Sequence, residues 1–253
     1  MINNKFDLNG KVAIVTGCNT GLGQAMAVSL ASAGCDIVGV NVSEPTETQG
    51  LVHDLGRKFL DVRADLFNQS SVGEIVDQAV NTFGKIDILV NNAGIIRRAD
   101  SVDFTEKDWD DVMDINAKTV FFFSQAVAKQ FIKQNSGGKI INIASMLSFQ
   151  GGIRVPSYTA SKSAVMGLTR LMANEWAKHN INVNAIAPGY MATDNTAALR
   201  ADEKRNAEIV SRIPAERWGL PEDLSGPVIF LASDAAAYVN GYTLAVDGGW
   251  LAR

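Results

Sequence analysis

A strand-length apolar run, Lys11-Val-Ala-Ile-Val-Thr16, opens onto Gly17-Cys-Asn-Thr-Gly21-Leu-Gly23 and then onto a helix-like run, Gln24-Ala-Met-Ala-Val-Ser-Leu30. Few folds place three glycines in this way between a strand and a helix. Glycine lets the chain turn sharply and lets its backbone approach a bound group closely. The helix start beyond it offers unpaired N–H groups and a partial positive charge. The pattern therefore predicts a first βαβ unit whose turn, Gly17, Asn19, Thr20, Gly21, Leu22 and Gly23, holds the phosphates of a dinucleotide. Glycines also serve plain tight turns, and it is the placement between strand and helix that favours the nucleotide.

The alternation continues along the chain. Strand-like runs fall at 12–16, 36–40, 58–62, 86–90, 139–143, 182–186 and 243–246, and helix-like runs at 22–33, 70–83, 109–134, 158–179 and 221–232. Several strand runs are apolar without a period of two, as expected where both faces of a sheet are covered. This predicts an α/β class, a doubly wound parallel sheet of seven strands flanked by helices. With 253 residues, 47% of them hydrophobic, and no linker or repeat, one domain over 1–253 is expected. The rhythm breaks only at about 190–213, which reads as a substrate lid or as a solvated helical excursion.

Composition excludes several roles. A net charge of −4 with no basic run argues against nucleic acid or an anionic membrane surface as partner. The apolar runs are too short to span a bilayer, and Met1-Ile-Asn-Asn-Lys5 lacks the apolar core of a secretory signal. Cys18 and Cys35 make no disulfide framework, so a reducing cytoplasm is the simplest location. His53 and His179 have no second ligand at zinc-like spacing, and no metal is expected.

About 18 residues beyond the glycine loop, Asn41 stands where a dinucleotide site reads the adenosine ribose. It is neutral, and no Arg or Lys follows until Arg57, which favours NAD over NADP.

Tyr158 and Lys162 are four residues apart, with Ser145 thirteen positions upstream. On a helix, residues i and i+4 share a face. An ammonium close to a phenol favours the phenolate and lowers its pKa, making it a usable acid or base. A lone Tyr-x3-Lys is more often an ordinary helix surface, and its company is what changes the reading.

That company resembles the short-chain dehydrogenase/reductase family over essentially the whole length: Thr16-Gly-x3-Gly-x-Gly23, Asn91-Asn-Ala-Gly94, Asn116, Ser145, Tyr158-x3-Lys162 and Pro188-Gly189, in that order. The resemblance implies a Rossmann fold and a catalytic set of Asn116, Ser145, Tyr158 and Lys162. Tyr158 would exchange a proton with the carbonyl oxygen and Ser145 would hydrogen-bond it. Lys162 would bind the nicotinamide ribose, and Asn116 would hold a water connected to Lys162. Asp65 and Leu66 would contact adenine, Asn91 would lie against the adenine-side ribose, and Asn92, Ala93, Gly94, Pro188, Gly189, Met191 and Thr193 would line the rest of the cofactor. Asn91 and Asn116 could equally tie backbone, and Asp65 could be a turn residue.

For the substrate, Arg97 and Arg98 follow Gly94, and Gln150 and Arg154 lie between Ser145 and Tyr158. Arginine's planar fork suits a carboxylate. A keto or hydroxy sugar acid is expected, anchored by Arg154 and one of Arg97 and Arg98, although surface arginines are also common. The stretches 92–98, 145–158 and 246–253 are similar to family members of uronate (pectin-type) catabolism. This implies NAD-linked interconversion of 2-keto-3-deoxygluconate and 2,5-diketo-3-deoxygluconate. Gluconate 5-dehydrogenation, 3-oxoacyl-carrier-protein reduction and a catalytically silent nucleotide sensor are the alternatives. The resemblance also implies a homotetramer.

Overall fold

The structure, a computed structural model, describes residues 5–67 and 71–253. The start of the chain and Ser70, the first residue of one expected helix, lie outside the described residues. Seven parallel strands form one sheet: β1 (Val12–Thr16), β2 (Asp36–Asn41), β3 (Phe59–Arg63), β4 (Ile88–Asn91), β5 (Gly138–Ile143), β6 (Ile181–Pro188) and β7 (Thr243–Val246). Their order is β3-β2-β1-β4-β5-β6-β7, so the chain reverses direction across the sheet between β1 and β4. In such sheets ligands bind beyond the carboxyl ends of the strands at that reversal. Thr16, Asn91 and Ile143 all end there.

Strand β1 shows why these residues form this sheet. All five of its residues are buried, and they alternate between two cores. Val12 and Ile14 join Phe123, Phe131 and Ile140 on one face. Ala13 and Val15 join Met26, Leu30 and Val228 on the other. Each large apolar side chain so enclosed contributes roughly 1.5–3 kcal/mol. That is why an unbroken apolar run, rather than an alternating one, marks the strand.

The helices are α1 (Gly21–Ser32), α2 (Thr46–Asp54), α3 (Ser71–Phe83), α4 (Glu106–Met113), α5 (Val120–Gln134), α6 (Pro156–Trp176), α7 (Ala197–Ala201), α8 (Glu203–Arg212) and α9 (Ser225–Ala232). Two differ from the sequence expectation. The run at 109–134 is not one uniform helix, because α4 passes into a π-helical turn over Asp114–Thr119 before α5 begins. Helix α2 was not expected at all. Its only buried residues are Thr48 and Val52, so no apolar stripe marks it. The irregular stretch after β6 holds a short turn at Asp194–Thr196 and then α7 and α8.

Candidate active site

The glycine loop has the predicted form. Gly17 and Gly21 take φ of +64° and +58°, open to glycine at no steric cost. A Cβ on Gly23 would collide with the Gly17 carbonyl oxygen and the Asn92 side chain. Thr20 precedes α1 without capping it by its side chain, and the first turn carries no acid. The N-terminal amides of α1 are therefore suited to a phosphate, and these residues fit a dinucleotide. Thr193 reaches this loop, its Cγ2 being 3.8 Å from where a Gly21 Cβ would stand. Asn92 binds the far side, with Nδ2 donating to the Thr16 and Gly17 carbonyls at 3.0 and 2.9 Å. Thr16 Oγ1 accepts from the Asn92 and Ala93 amides. Gly94 lies against Asn116 Oδ1, and Gly189 against Asp247, neither with comfortable room for a side chain. Pro188 ends β6, and Met191 is buried, bridging to Gly219.

Several side chains given cofactor roles are otherwise engaged. Asn41 is buried, and its Oδ1 accepts from the Cys18 amide at 2.8 Å, so it shapes the loop rather than facing outward. Thr48, from the unexpected α2, donates to the Cys18 carbonyl at 2.7 Å and grips the same residue from the other side. Enclosure pushes the Cys18 thiol up to about 11, leaving it protonated and inert. The exposed groups next to Asn41 are Val42 and Ser43, and Ser43 Oγ accepts from Asn19 Nδ2 at 2.7 Å. Asn91 does not line the cleft. It is buried, donating to Ser124 Oγ and Asn142 Oδ1, each at 2.9 Å. Asp65 accepts from the Phe67 amide at 3.0 Å as a turn residue does, while Leu66 is buried and its carbonyl accepts from Thr119 Oγ1.

Three of the four catalytic candidates come together, and Asn116 joins their helix through Ser161. Tyr158 and Lys162 lie on α6, whose first residue is Pro156, preorganised for a helix start. Ser145 follows β5 and caps the short turn Met146–Ser148, its Oγ accepting from the Leu147 amide at 3.1 Å. Ser148 Oγ donates to the Lys162 carbonyl at 2.6 Å, tying that turn to α6. The Ser145 hydroxyl lies close enough to the Tyr158 phenol to favour its ionised form.

The electrostatics differ from the expectation that Lys162 lowers the phenol. Burial pushes Tyr158 above its ordinary value of 10.0, while the Ser145 hydrogen bond and the Arg98 charge pull it down by less. The Tyr158 side chain is partly exposed, so the upward push is weaker than for a fully enclosed phenol. Lys162, 5% exposed, is itself lowered by burial to about 8.

Asn116 sits within the π-helical turn, fully buried. Its Oδ1 accepts from the Ile95 amide, and its Nδ2 donates to the Ile95 carbonyl and to Ser161 Oγ at 2.9 and 3.2 Å. The side chain thus ties β4's continuation to α6. π-Turns of this kind are frequent at functional sites.

The arginines are reassigned. Arg97 faces α4, its guanidinium 3.5 Å from both Asp108 and Asp111. Arg154 pairs with Asp100 at 3.0 Å on an exposed surface. Arg98 is the one whose charge acts on Tyr158, and its Nη2 donates to the Asn195 carbonyl at 3.3 Å. Gln150 is partly exposed just beyond the Ser145 turn. Adjacent arginines have the same chemistry in the sequence, so only the fold could separate Arg97 from Arg98.

Among known proteins, residues 17–251 match the family profile described as "Enoyl-(Acyl carrier protein) reductase". The 2-dehydro-3-deoxy-D-gluconate 5-dehydrogenase of Escherichia coli (strain K12) is 72% identical over the full length of both chains. A gluconate 5-dehydrogenase of Gluconobacter oxydans is 42% identical over 96% of each. The crystal structure of a putative 2-deoxy-D-gluconate 3-dehydrogenase from Agrobacterium tumefaciens with bound NADP superposes with a TM-score of 0.94 at 55% identity, covering 99% of this chain and 100% of that one. A seven-stranded parallel sheet, a glycine loop shaped for a dinucleotide, the clustered Ser145, Tyr158 and Lys162, and these full-length likenesses place the chain as an oxidoreductase of the short-chain dehydrogenase/reductase family.

Proposed function

We propose that the protein interconverts 2-keto-3-deoxygluconate and 2,5-diketo-3-deoxygluconate with NAD as its cofactor. The observation that carries this reading is the Ser145 turn tied by Ser148 to the helix of Tyr158 and Lys162, with Lys162 Nζ 5.6 Å from the Tyr158 ring centroid and the Arg98 charge lowering the phenol. Two hydroxyls can bind one carbonyl oxygen while a guanidinium holds a carboxylate nearby. The 72% identity to a 2-dehydro-3-deoxy-D-gluconate 5-dehydrogenase supports the particular sugar acid.

In this reading a nicotinamide dinucleotide supplies or removes the hydride. The turn from Gly17 to Gly23 and the α1 N-terminus hold its phosphates, and Lys162, Asn92, Ala93, Gly94, Pro188, Gly189, Met191 and Thr193 border the remainder. Ser145 and Tyr158 aim donors at the oxygen where negative charge develops. Tyr158 gives its proton to that oxygen in reduction and takes one from the hydroxyl in oxidation. Asn116 positions the Lys162 helix by its bond to Ser161. Arg98 anchors the substrate carboxylate, and the segment 190–213 closes over it. NAD is supported by the exposed, uncharged Val42 and the absence of an Arg or Lys between 42 and 56. The reading includes a cytoplasmic homotetramer. Exposed Phe122 and Leu171, on α5 and α6, support the association of copies.

The test is nicotinamide absorbance with both deoxy-keto acids, gluconate, 5-ketogluconate and an acetoacetyl thioester, each with NAD(H) and NADP(H). Fast NAD-linked turnover of the deoxy-keto pair, with gluconate poor, supports the proposal. A preference for gluconate would favour the second reading, which the 42% identical gluconate enzyme motivates. NADP-linked turnover of the thioester would overturn the substrate assignment.

A further inference from the structure

Helix α8 is held by little of its own. Of its ten residues only Ile209 is buried, and the rest of the helix is mostly polar. Its apolar face rests on a small cluster separate from the two main cores: Met146, Ile209, Ile213 and Trp250, with Leu199 and Tyr190 packed against it. Met146 is the residue after Ser145, so this cluster joins α8 directly to the turn that carries the catalytic serine.

The last turn of the chain, Trp250–Ala252 with Arg253 after it, completes the attachment. Trp250 is 4% exposed, its ring 4.8 Å from that of Tyr190, edge to face. The Arg212 guanidinium, on the final residue of α8, stacks 4.0 Å over the Trp250 ring. Arg253 returns to the same helix end, with Nη2 donating to the Ser211 carbonyl at 3.0 Å and Nε to the Arg212 carbonyl at 3.2 Å. These carbonyls have no partner within the helix, and a cation there suits the negative end of its dipole. Gly248 and Gly249 let the chain come this close. Both have positive φ, and a Cβ on either would crowd Ile213 or Pro214. Asp247 fixes the turn, its carboxylate accepting from the Gly249 and Leu251 amides, each at 2.9 Å.

We infer that Arg253 and Trp250 are positioning residues that latch helix α8 onto the Ser145 turn and thereby set how tightly the substrate is enclosed. This rests on the reading of 190–213 as the substrate lid. Arg253 hydrogen-bonds the carbonyls at the end of α8 and no residue that borders the cofactor, so its loss should loosen substrate binding and leave the cofactor unaffected. α8 has few buried contacts, and local opening is easiest where such contacts are few. The latch should therefore also govern how often α8 opens.

The test compares Arg253→Ala and Arg253→Lys in the intact protein. In Arg253→Ala the KM for the sugar acid should rise about three- to tenfold while kcat stays within about twofold, the size expected for a partly exposed charged hydrogen bond. The dissociation constant for NADH, read by its fluorescence, should not move. Tryptic cleavage after Arg200, Lys204 or Arg205, a readout needing no substrate, should accelerate. Arg253→Lys, which keeps a cation at the helix end, should recover part of both effects. Unchanged KM with unchanged cleavage would overturn the latch, as would a parallel loss of NADH affinity. Accelerated cleavage with no turnover of any sugar acid would uphold the latch and sink the substrate assignment instead.

Discussion

Lys162 lies over the face of Tyr158, its Nζ 5.6 Å from the ring centroid, and donates to the Ile143 carbonyl at 2.6 Å. The ammonium is thus held at the end of β5 and not at the phenol oxygen. Its own pKa falls to about 8 because it is buried without an anionic partner. Between about 8 and the ordinary 10.5 the unfolded chain binds a proton that the folded chain does not, so stability conferred at this position rises with pH through that window. Below it the folded protein bears the full penalty of a buried charge, on the order of 3 kcal/mol. Lys162→Met should therefore stabilise the ligand-free protein at pH 7 relative to the parent, less the loss of one hydrogen bond. That gain should shrink as pH rises from about 8 to 10.5. Denaturant melts across this range would show it, and a pH-independent difference would refute the buried-charge account.

Tyr158→Phe removes the proton-transferring hydroxyl and keeps the ring. Turnover should fall by about 10²–10⁴-fold. NADH binding, followed by fluorescence, should be retained. Turnover within tenfold of the parent would mean that another group handles the proton.

Arg98 carries two expectations. Arg98→Gln should raise the KM for a sugar acid by about tenfold or more, as expected for removing a charged hydrogen-bond donor. It also removes a charge that lowers the Tyr158 phenol, so the rise of the oxidation rate with pH should move to higher pH. Arg97→Gln and Arg154→Gln should change KM little, because those guanidinium groups are spent on Asp108, Asp111 and Asp100. Steady-state kinetics of the three variants decide the matter, and a larger effect at Arg97 or Arg154 would reverse the assignment.

Asn41→Ala should weaken NAD and NADP together, leaving their ratio nearly unchanged. Its amide oxygen caps the buried Cys18 N–H, and losing it should cost about 1–3 kcal/mol of stability. Thermal melts and titrations with both cofactors test this. A selective change in one cofactor would show that Asn41 reads the ribose after all.

Four buried side chains form a chain of hydrogen bonds across the sheet, Ser124 to Asn91 to Asn142 to Thr169. Asn91 and Asn142 are register partners on β4 and β5, and Thr169 lies on α6 two turns beyond Lys162. Asn142→Leu would take one hydrogen-bond partner each from the buried Asn91 amide and the buried Thr169 hydroxyl. A loss of about 2–4 kcal/mol is expected, measurable by urea denaturation. A neutral result would mean that the chain repacks around the leucine.

Much of this molecule was legible beforehand. The strand expected at 243–246 is the strand observed, and those at 36–40 and 139–143 extend by a single residue. Unbroken apolar runs report burial on both faces of a parallel sheet. Helix α2 escaped notice because a helix with two buried residues leaves no period to read. The π-turn at Asp114–Thr119 was equally hidden, since it preserves helical composition while changing only the hydrogen-bond pattern.

By itself the sequence determined the alternation of strands and helices, the glycine turn and the four-residue spacing that places Tyr158 and Lys162 on one face. These are local facts, governed by steric freedom and helical periodicity. The tertiary structure alone decided that Asn41 and Asn91 turn inward, that Arg98 rather than Arg97 acts on Tyr158, and that Arg253 returns to α8. The direction of a side chain at a strand end or in a loop is set by which distant donors and acceptors remain to be satisfied there, and those partners are chosen only when the chain is packed.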